Sequence, residues 1–284
     1  QSGEAGLVMA KIEYGVRLLM GNGCPKDVHQ ALNIFKELAD PPSSHKVAMY
    51  YYGMTLLQPP VDPETGDRLI DEDTTTGKKY LIQSANQDYM PSKMQHAAFL
   101  MRGQSGFSQD VAQALRIYQQ AATQNVPLGL ANIGYCYEKG GFPGYDQDYK
   151  KAIDYYQKAI QSGCKEAMTR YALLLDKGVP GILDQNKIRA GVLFGKAADK
   201  GDKLACHNYA SHLIEHDDDV ERAISYYKLA GFPVSYKKIG EIYLNGLGID
   251  RDVAQARIYF EKGAKLGNQD CRTYLADMED DSVA

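Results

Sequence analysis

The residues best placed to do chemistry are His212, Glu215 and His216. Their H-x-x-E-H spacing sets two imidazoles four residues apart on one helical face, where they can share a zinc ion while the glutamate acts as base. A second candidate is the stretch from Pro59 to Gly77, where acidic residues flank Gly66 and continue at Asp71, Glu72 and Asp73. Calcium would need oxygen ligands at alternate positions around that glycine, and the spacing fails this requirement. A solvated surface loop or a partner contact fits the stretch better. Gly21-Asn22-Gly23 and Gly246-Leu247-Gly248 join helical patterns and do not follow a strand, so neither is the phosphate-cradling turn of a dinucleotide fold. No G-x-S-x-G, Walker A or CxxC string occurs, and His29, His45, His96 and His207 have no evident partner.

The elements that would position these residues are set by repetition. A nine-residue block begins at Ala31, Gly77, Ala114, Ala152, Ala190, Ala223 and Ala256. Its fifth place is always large and apolar: Phe35, Leu81, Tyr118, Tyr156, Phe194, Tyr227 and Phe260. Start-to-start spacings of 33 to 46 residues fall in the range of stacked supersecondary units. A second block keeps step with the first, with small residues at Gly15, Gly53, Ala97, Gly134, Ala172, Ala210, Gly240 and Ala276. Most are followed three residues later by Leu or Tyr, which puts small and large on one helical face and lets a neighbouring backbone approach. Glycines such as Gly103 and Gly163 mark the ends of both helices. Each unit therefore reads as helix A, turn, helix B. In this register His216 stands where other units carry the helix-ending glycine, and Leu213 is a core position. The H-x-x-E-H string is then a by-product of the repeat, and Asp217, Asp218 and Asp219 form a solvated turn with an N-cap for helix B.

YGVRLLMGNG, IGYCYEKGG and IGEIYLNGLGIDRDVAQARIYFEKGAKLG resemble the Sel-one-like repeat, a relative of the tetratricopeptide repeat with the pattern LGxxYxxGxGVxxDxxKAxxWYxKAAxxG. The resemblance covers almost the whole chain. It implies an all-α fold, a right-handed α-α superhelical solenoid of about seven helix-turn-helix repeats plus a terminal helix. The expected repeats are 7–40, 45–88, 89–125, 126–163, 164–201, 202–231 and 232–267, with the terminal helix at 268–279 and an acidic tail beyond it, in a single array over 1–284. Three departures stand out: Tyr, Phe or Leu replaces the frequent Trp of helix B, the second copy carries an insert, and the sixth lacks the G-x-G turn.

Composition agrees with a repeat array. The 284 residues are 44% hydrophobic with 21 Tyr, more than one typical core would use but natural for units that each bury a face on their neighbours. A net charge of −4 offers no basic field for nucleic acid or anionic lipid. The five cysteines, Cys24, Cys136, Cys164, Cys206 and Cys271, are odd in number and occupy unrelated places in the repeat, which favours reduced thiols and a cytoplasmic location. Cys271 falls where other copies have Ala, as a small core residue. No signal peptide, sequon or membrane-spanning run is present. QSGEAG at the start resembles the tail of a helix B, so the chain reads as a segment of a longer protein.

For binding, the resemblance lends the geometry of tetratricopeptide arrays, whose concave wall uses residues three before and one, four and five after the small position. In the first three units these include Ile12, Val16, Leu19, Met20, Tyr50, Met54, Leu57, Met94, Met101 and Arg102. Later units add Tyr135, Lys139, Lys177, His207, Lys237 and Glu241. The first set is apolar and Met-rich, suited to varied apolar segments, and the second is polar. The bland alternative is that these side chains pack against adjacent helices A. The leading expectation is a non-enzymatic adaptor that binds one or more proteins or extended peptides along this face. No catalytic residue, metal or cofactor is assigned, and neither nucleic acid nor membrane insertion is expected. A lumenal or periplasmic segment of a membrane-protein quality-control or cell-wall synthase assembly is the alternative, and a zinc-dependent hydrolase at the H-x-x-E-H string a remote one.

Overall fold

The structure, a computed structural model, describes residues 2–62 and 67–280, with side chains at 5–62 and 67–278. The centre of the Pro59 to Gly77 loop, including Gly66, and the acidic tail from Glu279 on therefore lie outside the described side chains. The chain divides into two compact units, Gln1–Thr123 and Gln124–Ala284. The first holds α1 (Ser2–Met20), α2 (Val28–Ala39), α3 (Lys46–Leu57), α4 (Thr74–Asn86), α5 (Met90–Arg102) and α6 (Val111–Thr123). The second holds α7 (Pro127–Lys139), α8 (Tyr149–Gln161), α9 (Lys165–Lys177), α10 (Lys187–Asp199), α11 (Lys203–His212), α12 (Val220–Ala230), α13 (Pro233–Asn245), α14 (Val253–Lys265) and α15 (Gln269–Asp280). The fold is all-α, and odd-numbered helices are helices A, those from α1 to α13 each packed on the helix B that follows.

The register read from the sequence is the register of burial. All seven fifth-place residues are buried, Phe35, Leu81, Tyr156 and Phe260 completely. They press against the small residues of helix A. A methyl group at Gly15 would sit 2.7 Å from Phe35 Cε1, one at Gly134 2.8 Å from Tyr156 Cε1, and one at Gly240 would overlap the Phe260 ring. In the second unit of the array the pairing becomes glycine to glycine. Gly53 faces Gly77, and a side chain on Gly77 would strike Leu57. This explains why Gly replaces the usual Ala at the start of that block. Ala276, the eighth small residue, is exposed, since no helix B follows α15 among the described residues.

Local signals hold each helix in place. Seven side chains, Asp27, Asp73, Asp110, Asp148, Asn186, Asp219 and Asp252, accept from the backbone N–H three residues later and cap the seven helices B. Each such cap contributes about 0.5–2 kcal/mol. At the other ends Gly103 and Gly246 adopt left-handed φ of 63° and 64°, which costs glycine nothing. The sixth unit lacks this glycine and ends differently. Leu213–Asp217 widens into one π-helical turn, and Asp218 takes the left-handed conformation at φ 53°. The inserted loop closes as a small antiparallel pairing of Val61 with Arg68, with Arg68 bound to Glu72 at 3.0 Å.

The five cysteines are free thiols. Burial pushes Cys136, Cys164 and Cys271 up to about 11 and raises Cys206, while Cys24 is half-exposed. Because thiolate is the reactive form, iodoacetamide at pH 8 should modify Cys24 first and the other four only as the helices open. Mass spectrometry showing equal rates at all five would contradict the packing described.

Candidate partner-binding surface

Helix A carries its exposed residues in a graded pattern set by distance from the small position. Three residues before it, Ile12 and Met94 are 2% and 3% exposed, Tyr50, His207 and Lys237 are half-buried, and Ala131 and Thr169 are buried. One residue after it, Val16, Met54, Tyr135 and Glu241 are half-buried. Five residues after it, Met20, Arg102, Lys139 and Lys177 are exposed. Within each unit, first-row residues such as Ile12, His207 and Lys237 pack between neighbouring helices A, so the last row and part of the middle one face outward.

Three expected wall residues are therefore core. Ile12 joins Phe35, Tyr52 and Tyr80 in the core of the first unit. Leu57 is held at the close crossing of α3 and α4 beside Gly77. Met94 is buried on α5. Val16 and Leu19 lean partly on the same core as Ile12. Tyr50 sits edge-on to Tyr51 and Tyr89 with ring centres 5.2 and 5.6 Å away, and burial raises its hydroxyl pKa. Met54 and Met101 keep part of their surface open, and Met20 is 61% exposed.

In the second unit the same positions form polar links between neighbouring helices A. His207 Nδ1 lies 2.8 Å from the buried Ser235 Oγ on α13. Lys237 reaches Asp270 of α15 at 2.7 Å and Glu241 at 3.8 Å, and the Asp270 bond raises its pKa. Glu241 also accepts from the Tyr274 hydroxyl at 3.3 Å. On α7, Glu138 is buried and accepts from the Tyr156 hydroxyl at 2.6 Å, while its other oxygen pairs with Lys139 at 2.8 Å. The Arg170 guanidinium of α9 lies over the Tyr135 ring, 4.4 Å from its centre. Arg170 was not singled out by the sequence pattern, because it lies two residues before a small position, off the expected rows. Lys177 is exposed in the last turn of α9.

The zinc-like string does not converge. His212 and His216 rings stand 4.6 Å apart, but His212 turns onto Gly191 of α10, where any side chain would overlap its imidazole. Glu215 points to Lys187 and His216 at 4.0 and 3.9 Å. No group of three His, Cys, Asp or Glu side chains among the described residues is arranged to hold a metal. Leu213 is buried in the core of the second unit, and Asp219 caps α12.

Repeated helix hairpins with a graded outer face define an all-α repeat scaffold. The chain belongs to the Sel1 repeat family, which matches residues 8–40, 46–89, 93–126, 127–164, 165–202, 204–231 and 233–268. Such proteins are helical repeat scaffolds that typically mediate protein interactions. The fold is similar to that of a protective antigen of uropathogenic Escherichia coli, with TM-score 0.54 and 22% identity over 99% of this chain and 58% of that one. It is also similar to two immunity proteins of Pseudomonas aeruginosa, each with TM-score 0.56 and 16% identity over 82% of this chain and 86% and 85% of theirs. The chain thus spans less than two thirds of the Escherichia coli protein. No curated protein matches the sequence. No helix among the described residues is long and apolar enough to cross a membrane.

Burial lowers the pKa of His207, with the neighbouring Lys238 adding to it, and burial likewise lowers His45, His96 and His212. The unfolded chain, with imidazoles near 6.5, then binds protons at a pH where the folded chain does not. The stability from keeping these rings neutral is present in full above about pH 6.5 and is lost as pH falls through the folded values. Urea midpoints should fall between pH 7.5 and pH 5, with a shallower slope for His207→Asn. A flat profile would contradict the neutral, half-buried imidazoles.

Proposed function

We propose that this chain is a non-enzymatic scaffold that binds partner proteins or extended peptides on the outward rows of its helices A. The observation that carries the reading is the burial gradient, which leaves Met20 exposed and Met54 and Met101 half-open on the first unit while burying Ile12 and Met94 of the row before them. Unbranched Met side chains adapt to apolar segments of varied shape. On the second unit the outward residues are Tyr135, Lys139, Lys177 and Glu241, suited to polar groups. The one string with catalytic spacing has its first imidazole committed to packing on Gly191. Five unpaired thiols, four of them buried, suit a reducing compartment such as the cytoplasm.

Cross-linking with mass spectrometry on the intact chain tests this. Met54→Asp with Met101→Asp should lower recovery of cross-linked partners at least tenfold, with far-ultraviolet circular dichroism unchanged. Met20→Asp, at a site with little packing to lose, should lower it alone. Unchanged recovery in both variants would contradict the reading, and lost helicity in the double variant with full recovery for Met20→Asp would assign these methionines to the core.

A further inference from the structure

The second unit holds a half-buried cation with no carboxylate of its own. Arg170 makes no ion pair among the described residues, and its guanidinium lies against the Tyr135 ring at 4.4 Å from the centre. Stacking on a ring occupies the face of the guanidinium and leaves its edge, with the N–H donors in a planar fork, available. Lys139 stands on the same ring at 5.9 Å.

Neither nearby carboxylate pairs with Arg170. Glu166, four residues earlier on α9, accepts from the Cys164 thiol at 3.4 Å, and Glu138 is already spent. Glu138 is 7% exposed, one oxygen accepts from Tyr156 and the other pairs with Lys139. Lys139 thus has an ion-pair partner and Arg170 has none among the described residues. The contrast with Lys237 on α13 is direct, since that amine is matched by both Asp270 and Glu241. An uncompensated charge partly withdrawn from water is costly, and a bidentate carboxylate is the group that fits a guanidinium fork. Set in a chain of net charge −4, such a spot also discriminates by attracting what the remaining surface repels.

We infer that Arg170, floored by Tyr135 and flanked by Lys139, receives a carboxylate of a bound peptide, either an Asp or Glu side chain or a free C-terminus. This rests on the protein-binding reading and names the partner chemistry of the second unit. The test is selection of a random twelve-residue peptide library, made in amidated and free-acid forms, against the whole chain and against Arg170→Gln. The wild type should enrich peptides that carry a carboxylate, whether an Asp or Glu side chain or a free C-terminus, at least tenfold over those that carry none. Arg170→Gln, with unchanged circular dichroism, should lose that enrichment while still selecting apolar sequences, and Arg170→Lys should keep part of it. Enrichment restricted to the free-acid library assigns the C-terminal carboxylate, and enrichment in the amidated library assigns the side chain. Raising NaCl from about 50 to 500 mM on the wild type should weaken the preference without any substitution, as expected for a partly screened ion pair. Equal recovery from the free-acid and amidated libraries with no excess of Asp or Glu, or the same preference shown by Arg170→Gln, would overturn the inference and leave the protein-binding reading intact. Recovery of no peptide by the wild type would overturn both.

Discussion

Everything in this fold depends on one steric match, a large side chain at the fifth place of helix B seated on a small residue of helix A. Where the small residue is glycine, as at Gly15, Gly134 and Gly240, the ring opposite comes so close that even a methyl group would collide. Full burial of each ring removes a large apolar area from water. The close approach also fixes the spacing of the two helices, and hence which helix A residues turn toward the next repeat and which turn outward.

From that match the function-bearing surface follows. Residues three before the small position lie on the seam between neighbouring helices A of one unit, which is why Ile12 packs with Tyr52 and His207 is hydrogen-bonded to Ser235. Residues five after it have turned away from the seam, leaving Met20, Lys139 and Lys177 open. Geometry borrowed from a looser relative treats both rows as wall. The difference is one of helix rotation, and no residue type in the sequence announces it.

Repeat number, helix boundaries and the core were legible because each is written as a spacing. The seven fifth-place residues and seven block-opening residues are all buried, and the missing glycine of the sixth unit marks the place where the helix ends differently, in the π-helical turn at Leu213–Asp217. The caps are equally legible, since Asp or Asn stands four residues before each block, although the sequence reading assigns a cap only to the Asp217–Asp219 turn, where Asp219 supplies it. The Arg170 cluster was not legible, because it joins side chains from three helices, α7, α8 and α9, through a ring contact and a buried Tyr156–Glu138 bond. Only the hairpin geometry brings them together.

The steric match is tested most directly by a double-mutant cycle at Gly240 and Phe260, followed by urea denaturation. Gly240→Ala in the native background should destabilise the protein by about 1–3 kcal/mol through overpacking. With Phe260→Leu in place the same substitution should cost nothing or stabilise by up to about 1 kcal/mol, since alanine is the better helix former. An equal cost for Gly240→Ala in both backgrounds would show that the ring does not sit on the glycine, and would contradict the account.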